Sequence, residues 1–89
     1  MPEITVTVEH EVGLHARPAA VFVQTSKEFA SDICVTHGER SANAKSILGV
    51  LTLGANQGAV ITIHAEGEDA DDALAALKAL IDDNFGEAG

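Results

Sequence analysis

With 89 residues and a formal net charge of −9, the chain has room for one compact domain, 1–89, and an acidity that nucleic-acid phosphates would repel. Hydrophobic residues reach 46% while aromatics are only 3%, so the core of so small a domain has to be assembled from Val, Ile, Leu and Ala. No apolar run approaches the ~20 residues that span a bilayer. The opening Met1-Pro2-Glu3 lacks the basic-then-apolar layout of a secretory signal, and the single Cys34 cannot form an internal disulfide. The expectation is a cytoplasmic protein with no membrane insertion.

Ile4, Val6 and Val8 alternate with Thr5, Thr7 and Glu9, the period of a half-buried strand. His10 to Leu14 breaks that period, with Gly13 permitting a turn. Pro18 suits a first helical turn, and Ala19, Phe22, Val23, Ser26 and Phe29 recur at helical spacing, which predicts a helix over 16–28. Ile33 and Val35 begin a second strand that ends near His37-Gly38. A turn at Gly38-Glu39 then leads into a short strand over 40–43. Ser46 is a strong N-cap for a short helix over 47–52. Gly54 to Gly58 is a loop, 60–65 a strand, and 69–85 a helix with Ala70, Ala73, Leu74, Leu77, Leu80, Ile81 and Phe85 on its apolar stripe. Asp69, Asp71 and Asp72 suit the positive end of that helix. The wider run of late carboxylates is explained first by solubility and a favourable helix start, with a high-salt cytoplasm as a second explanation that composition alone does not establish. This order predicts an α+β fold with helices on one face of a mainly antiparallel sheet. The other face would be solvated through Thr5, Thr7, Thr62 and His64.

The segment Gly13-Leu14-His15-Ala16-Arg17-Pro18-Ala19-Ala20 places a histidine at a helix entrance. The first backbone N–H groups of a helix lack intrahelical partners and, with the helix dipole, favour anions. Here the donors would be Ala16 and Arg17, since Pro18 has none, and the Arg17 guanidinium matches phosphate geometry. A neutral imidazole is a competent nucleophile near pH 7, and no carboxylate in the segment is placed to activate water. The arrangement suits a phosphoryl carrier. On spacing alone, a partly exposed histidine at a helix start is the simpler interpretation.

Residues 13–20 closely resemble the active-site signature of HPr, the histidine-containing phosphocarrier family of the bacterial sugar phosphotransferase system. Asn43-Ala44-Lys45-Ser46-Ile47-Leu48-Gly49-Val50 resembles that family's regulatory serine segment, and the resemblance runs through the whole chain without a gap. It implies an open-faced β-sandwich: a four-stranded antiparallel sheet with three helices on one face. It implies phosphorylation of His15 on Nδ1 by enzyme I with phosphoenolpyruvate, transfer to sugar-specific enzyme IIA domains, and stabilisation of the phosphoryl group by Arg17. It implies a monomer without a cofactor. It also implies regulation at Ser46 by an HPr kinase/phosphorylase, although an N-cap role accounts for Ser46 without any kinase. A paralogous carrier serving nitrogen control or dihydroxyacetone phosphorylation is an alternative. So is a non-catalytic binding module, against which the presence of His15 weighs.

Ile47, Leu48 and Leu51 exceed what one small helix face needs for a core. With Val50 and Leu53 turned inward, these three would form an apolar contact patch for partners, although a wholly buried role competes. Two departures from the family stand out: Lys27 is the main basic residue of the first helix, and Val12 replaces a small polar residue. A chain at −9 should also dock poorly on acidic partner surfaces unless they have co-adapted or salt screens the repulsion. His10, His37 and His64 have no metal-ligand spacing, so no metal site is expected. Gly54-Ala55-Asn56-Gln57-Gly58 lacks the lysine and hydroxyl of a nucleotide loop.

Overall fold

Three alternating segments become strands because only one of their faces can reach a core, and a fourth, polar but for Ala42, pairs along one edge. The computed structural model describes residues 2–9, 16–83 and 85. In chain order the elements are β1 (Glu3–Thr7), α1 (Ala16–Ser26), β2 (Asp32–His37), β3 (Arg40–Asn43), α2 (Ile47–Thr52), β4 (Val60–Glu66) and α3 (Ala70–Asp82). The strands form one antiparallel sheet in the order β1-β4-β2-β3. Val6, Ile33, Val35, Ile61, Ile63 and Ala65 are buried on its inner face. Phe22 and Val23 of α1, Val50 of α2, and Leu74, Leu77 and Ile81 of α3 join them in one core. Burying a side chain the size of Phe22 or Leu77 is worth roughly 1.5–3 kcal/mol.

The outer face is polar, as the alternation predicts. Thr5 and Thr7 are exposed, Thr62 and His64 half-buried, and the Thr5 and Thr62 hydroxyls meet at 3.2 Å across the strands. The hairpin between β2 and β3 turns at Gly38-Glu39, where Gly38 takes a φ of +62° that a side chain would resist.

Two helices are shorter than their periodicity suggests. α1 ends at Ser26 rather than at 28. The Ser26 hydroxyl donates back to the Phe22 carbonyl at 2.9 Å. Tighter bonds then close the chain, from Glu28 N–H to the Thr25 carbonyl and from Phe29 N–H to the Ser26 carbonyl. Phe29 is thereby placed beyond the helix, half-buried against the core. α3 runs from Ala70 to Asp82, not over 69–85. Phe85 lies past its end with a φ of +59° and is still buried.

Asp69 occupies the N-cap position of α3 but makes no side-chain cap bond. Its carboxylate instead crosses to the turn after α1. It accepts from the backbone N–H groups of Ala30 and Ser31, each at 2.9 Å, and from the Ser31 hydroxyl. Gly67 makes this approach possible, since a Cβ there would stand 2.8 Å from Ser31 Cα, and its φ of +149° excludes most side chains.

The hydrogen bond from the Ser31 hydroxyl, with those from the Ala30 and Ser31 amides, holds the Asp69 carboxyl below its usual titration range. A group titrating lower in the folded than in the unfolded chain contributes stability that is full above the unfolded value, ~3.9. That contribution is lost as pH falls through the lower folded value. Asp69→Asn is therefore expected to melt below the parent at pH 7. The gap should close on acidification below about 4, as calorimetric melts across pH will read.

Candidate functional site

α1 begins at Ala16, with Arg17 second and Pro18 third. Pro18 is fully buried, which seats this end of the helix against the core at the point where a missing N–H is harmless. The Arg17 side chain is exposed. Among the described residues its guanidinium has neither a hydrogen bond nor an ion pair. No acidic residue stands in the first turn. His15 immediately precedes this helix in sequence. Together with His10, Val12, Gly13 and Leu14 it lies outside the described residues.

α2 has only six residues and needs help from outside itself. At its start Ser46 is the N-cap, its Oγ accepting from Gly49 N–H at 3.1 Å. At its end the β2–β3 hairpin reaches over. Arg40 Nη1 donates to the Thr52 carbonyl at 3.0 Å, and His37 Nδ1 lies 2.9 Å from the Leu53 carbonyl. A carbonyl only accepts, so that ring nitrogen carries the proton.

Val50 and Leu53 are buried, while Leu48 is 74% and Ile47 40% exposed. Leu51 departs from the expected patch: it is half-buried and packs on the core. It follows Val50 directly, so part of its side chain faces the core and the rest stays accessible. The exposed apolar pair borders a notch between α1 and α2 that Ala20, Gln24, Lys27 and Lys45 also line. Lys45 is half tied down, its Nζ donating to the Phe29 carbonyl at 2.7 Å.

Charge is segregated along the chain. Residues 12–27 and 40–65 contain no Asp or Glu, and these stretches hold Arg17, Lys27, Arg40 and Lys45. The fifth cation, Lys78, pairs with Asp82 on α3 at 2.7 Å. The notch between α1 and α2, lined by Lys27, Lys45, Ile47 and Leu48, is basic and apolar on a strongly acidic chain.

On the outer sheet face His64 stands opposite both Glu3 and Cys34 in register, with Nε2 3.8 Å from the Glu3 carboxylate. Among the described residues no three metal-ligating side chains gather, and no helix is long and apolar enough to cross a membrane.

A family model described as the PTS HPr component phosphorylation site matches residues 2–83. The chain belongs to the HPr family. The phosphocarrier protein HPr of Xylella fastidiosa is 44% identical over 87 residues, covering 98% of each chain. The crystal structure of an HPr from Thermoanaerobacter tengcongensis is 47% identical, covers 100% of both chains and superposes with a TM-score of 0.96. That of an HPr from Bacillus anthracis is 44% identical with a TM-score of 0.87, covering 90% of this chain and 95% of that one. The open sheet of four antiparallel strands with three helices is therefore the HPr fold.

Lys45, His37 and Arg40 were not singled out by their sequence neighbourhood as supports of α2 and its surroundings. Their acceptors lie 16, 16 and 12 residues away. A side-chain donor whose partner is a distant carbonyl leaves no local pattern. The cap is a local feature and gives a direct test. Ser46→Ala should cost about 1 kcal/mol, lowering the melting temperature by roughly 4–8 °C in a domain of this size. Ser46→Asp retains an acceptor and should melt above Ser46→Ala.

Proposed function

We propose that this HPr-family chain carries a phosphoryl group on His15, taking it from phosphorylated enzyme I and passing it to sugar-specific enzyme IIA domains. The observation that carries this is the family match, which spans the phosphorylation-site signature. Two features support it. Arg17 sits in the first turn of α1 with an exposed guanidinium and no partner among the described residues. The amides of Ala16 and Arg17 lie where a helix start leaves donors unpaired. The acceptor would be the His15 imidazole, with Arg17 and those amides balancing the charge of the transferred group.

Docking follows from the same face. Net charge acts over distance, but the rim of an interface is governed by nearby charges within a Debye length, ~8 Å at physiological salt. Lys27 and Lys45 beside Ile47 and Leu48 present a basic rim around an apolar contact. An acidic partner surface meets attraction there despite the chain's −9.

Ser46 supports a second, regulatory role. It is half-buried at the start of α2 and next to the exposed Ile47 and Leu48. A phosphate at a helix start is compatible with the helix. Placed there by an HPr kinase/phosphorylase, it would add charge beside the apolar contact that a partner must desolvate.

Incubation with enzyme I and phosphoenolpyruvate should give an acid-labile, base-stable phosphate by mass spectrometry. His15→Ala should abolish it and leave the circular dichroism spectrum unchanged; full phosphorylation of that variant would place the acceptor elsewhere. Arg17→Ala should fold normally and slow single-turnover transfer. Losing a charge-assisted hydrogen bond costs about 1.5–3 kcal/mol, or roughly 10–100-fold where the contact forms mainly in the transition state. An unchanged rate would remove Arg17 from that role.

A further inference from the structure

The peptide that joins Phe29 to Ala30 is gripped at both ends by opposite charges from distant elements. Its carbonyl accepts from Lys45 Nζ at 2.7 Å, and its N–H donates to Asp69 Oδ2 at 2.9 Å. The other oxygen of the same carboxylate takes the Ser31 N–H, also at 2.9 Å. Lys45 stands immediately before Ser46, the cap of α2, and Asp69 immediately before α3. Both bonds are charge-assisted, and they act through one amide. A cation on the carbonyl oxygen polarises the peptide and makes its N–H the stronger donor toward the anion on the far side.

Lys45 can be drawn away. Its ammonium is a compact charge on a flexible four-carbon stem. A neutral carbonyl competes poorly with an anion for it, because hydrogen bonds between two charged partners are the stronger kind. Residue 46 is its direct neighbour. Lys27 borders the same notch and would share the attraction, but it is exposed and holds no backbone carbonyl among the described residues.

We propose that the Phe29–Ala30 peptide is a relay: negative charge at residue 46 withdraws Lys45 from the Phe29 carbonyl, which weakens the hold of Asp69 on the turn after α1. The turn 27–31 follows the last residue of α1 and begins with Lys27, one of the two lysines on the rim of the apolar contact. Charge on Ser46 thus acts on the docking face twice, directly beside Ile47 and at a distance through the end of α1. The physiological trigger rests on the regulatory role of Ser46 proposed above; the relay itself is a property of Lys45, the peptide and Asp69.

Amide hydrogen exchange by NMR tests it in four proteins: the parent, Ser46→Asp, Lys45→Gln, and the double variant. The Ala30 and Ser31 amides are read against that of Val35 in the central strand β2, which reports global opening. Lys45→Gln alone should speed the two turn amides roughly tenfold relative to Val35, the order of one hydrogen bond's net contribution. Ser46→Asp should do the same, and the double variant should be no faster than Lys45→Gln. If Ser46→Asp leaves both amides unchanged, or if the two effects add fully, charge at residue 46 does not act through Lys45 and the relay is wrong. Unchanged amides in Lys45→Gln overturn it equally. Whether an HPr kinase/phosphorylase with ATP modifies Ser46 is a separate assay, and a negative result there leaves the exchange comparison standing.

Discussion

One sheet with one covered face is the constraint from which this molecule follows. Three helices can shield only the inner surface of four strands, so every second strand residue must be apolar and the rest must tolerate water. With so few aromatic side chains, the shielding depends on how closely helices approach the sheet. Ala19, Ala44, Ala55, Ala65, Ala70 and Ala73 are all buried and keep the layers near each other. Such a core gains its stability from many small contacts, and it has little tolerance for added volume. Phe22, central to α1 and fully buried, is with Phe85 the largest side chain committed to it.

That architecture leaves charge to do the remaining positioning. A six-residue helix has too few internal bonds to persist alone, and α2 is held by a serine at one end and by histidine and arginine side chains at the other. The turn after α1 is held by a carboxylate from the start of α3 and an ammonium from before α2. Apart from the serine cap, each clamp joins groups 12 or more residues apart in sequence. Most carboxylates lie outside the α1–α2 stretches, which lets a net-acidic protein keep a basic rim. Net charge is a sum over the surface, while recognition is decided where the surfaces meet.

Much of this was legible in the chain. The alternation of Ile4, Val6 and Val8, the Gly38 turn, the Ser46 cap and the inward Val50 and Leu53 are local facts, and each stands in the structure. The signature around residues 13–20 and the serine segment pointed to the family. Less legible were features that depend on partners elsewhere. Phe29 continues the helical spacing of α1, yet Ser26 turns its hydroxyl onto the helix backbone and the chain leaves the helix first. Asp69 has the identity of an N-cap, yet its carboxylate finds better donors in Ala30 and Ser31, 39 and 38 residues away. Leu51 has the composition of a surface contact, yet its neighbour Val50 fixes the orientation of the helix and turns Leu51 partly inward.

The strand order has a consequence in time. Among the described residues β1 is an edge strand paired with β4 alone, and Thr5 must find Thr62, 57 positions further along the chain. Closing so long a loop costs entropy before any contact rewards it. During synthesis the first strand leaves the ribosome early but has nothing to pair with until β4 has emerged. Until then its five residues, with Val6 bound for the core, wait in water. β1, made before its partner, is thus among the last parts of the sheet to be seated.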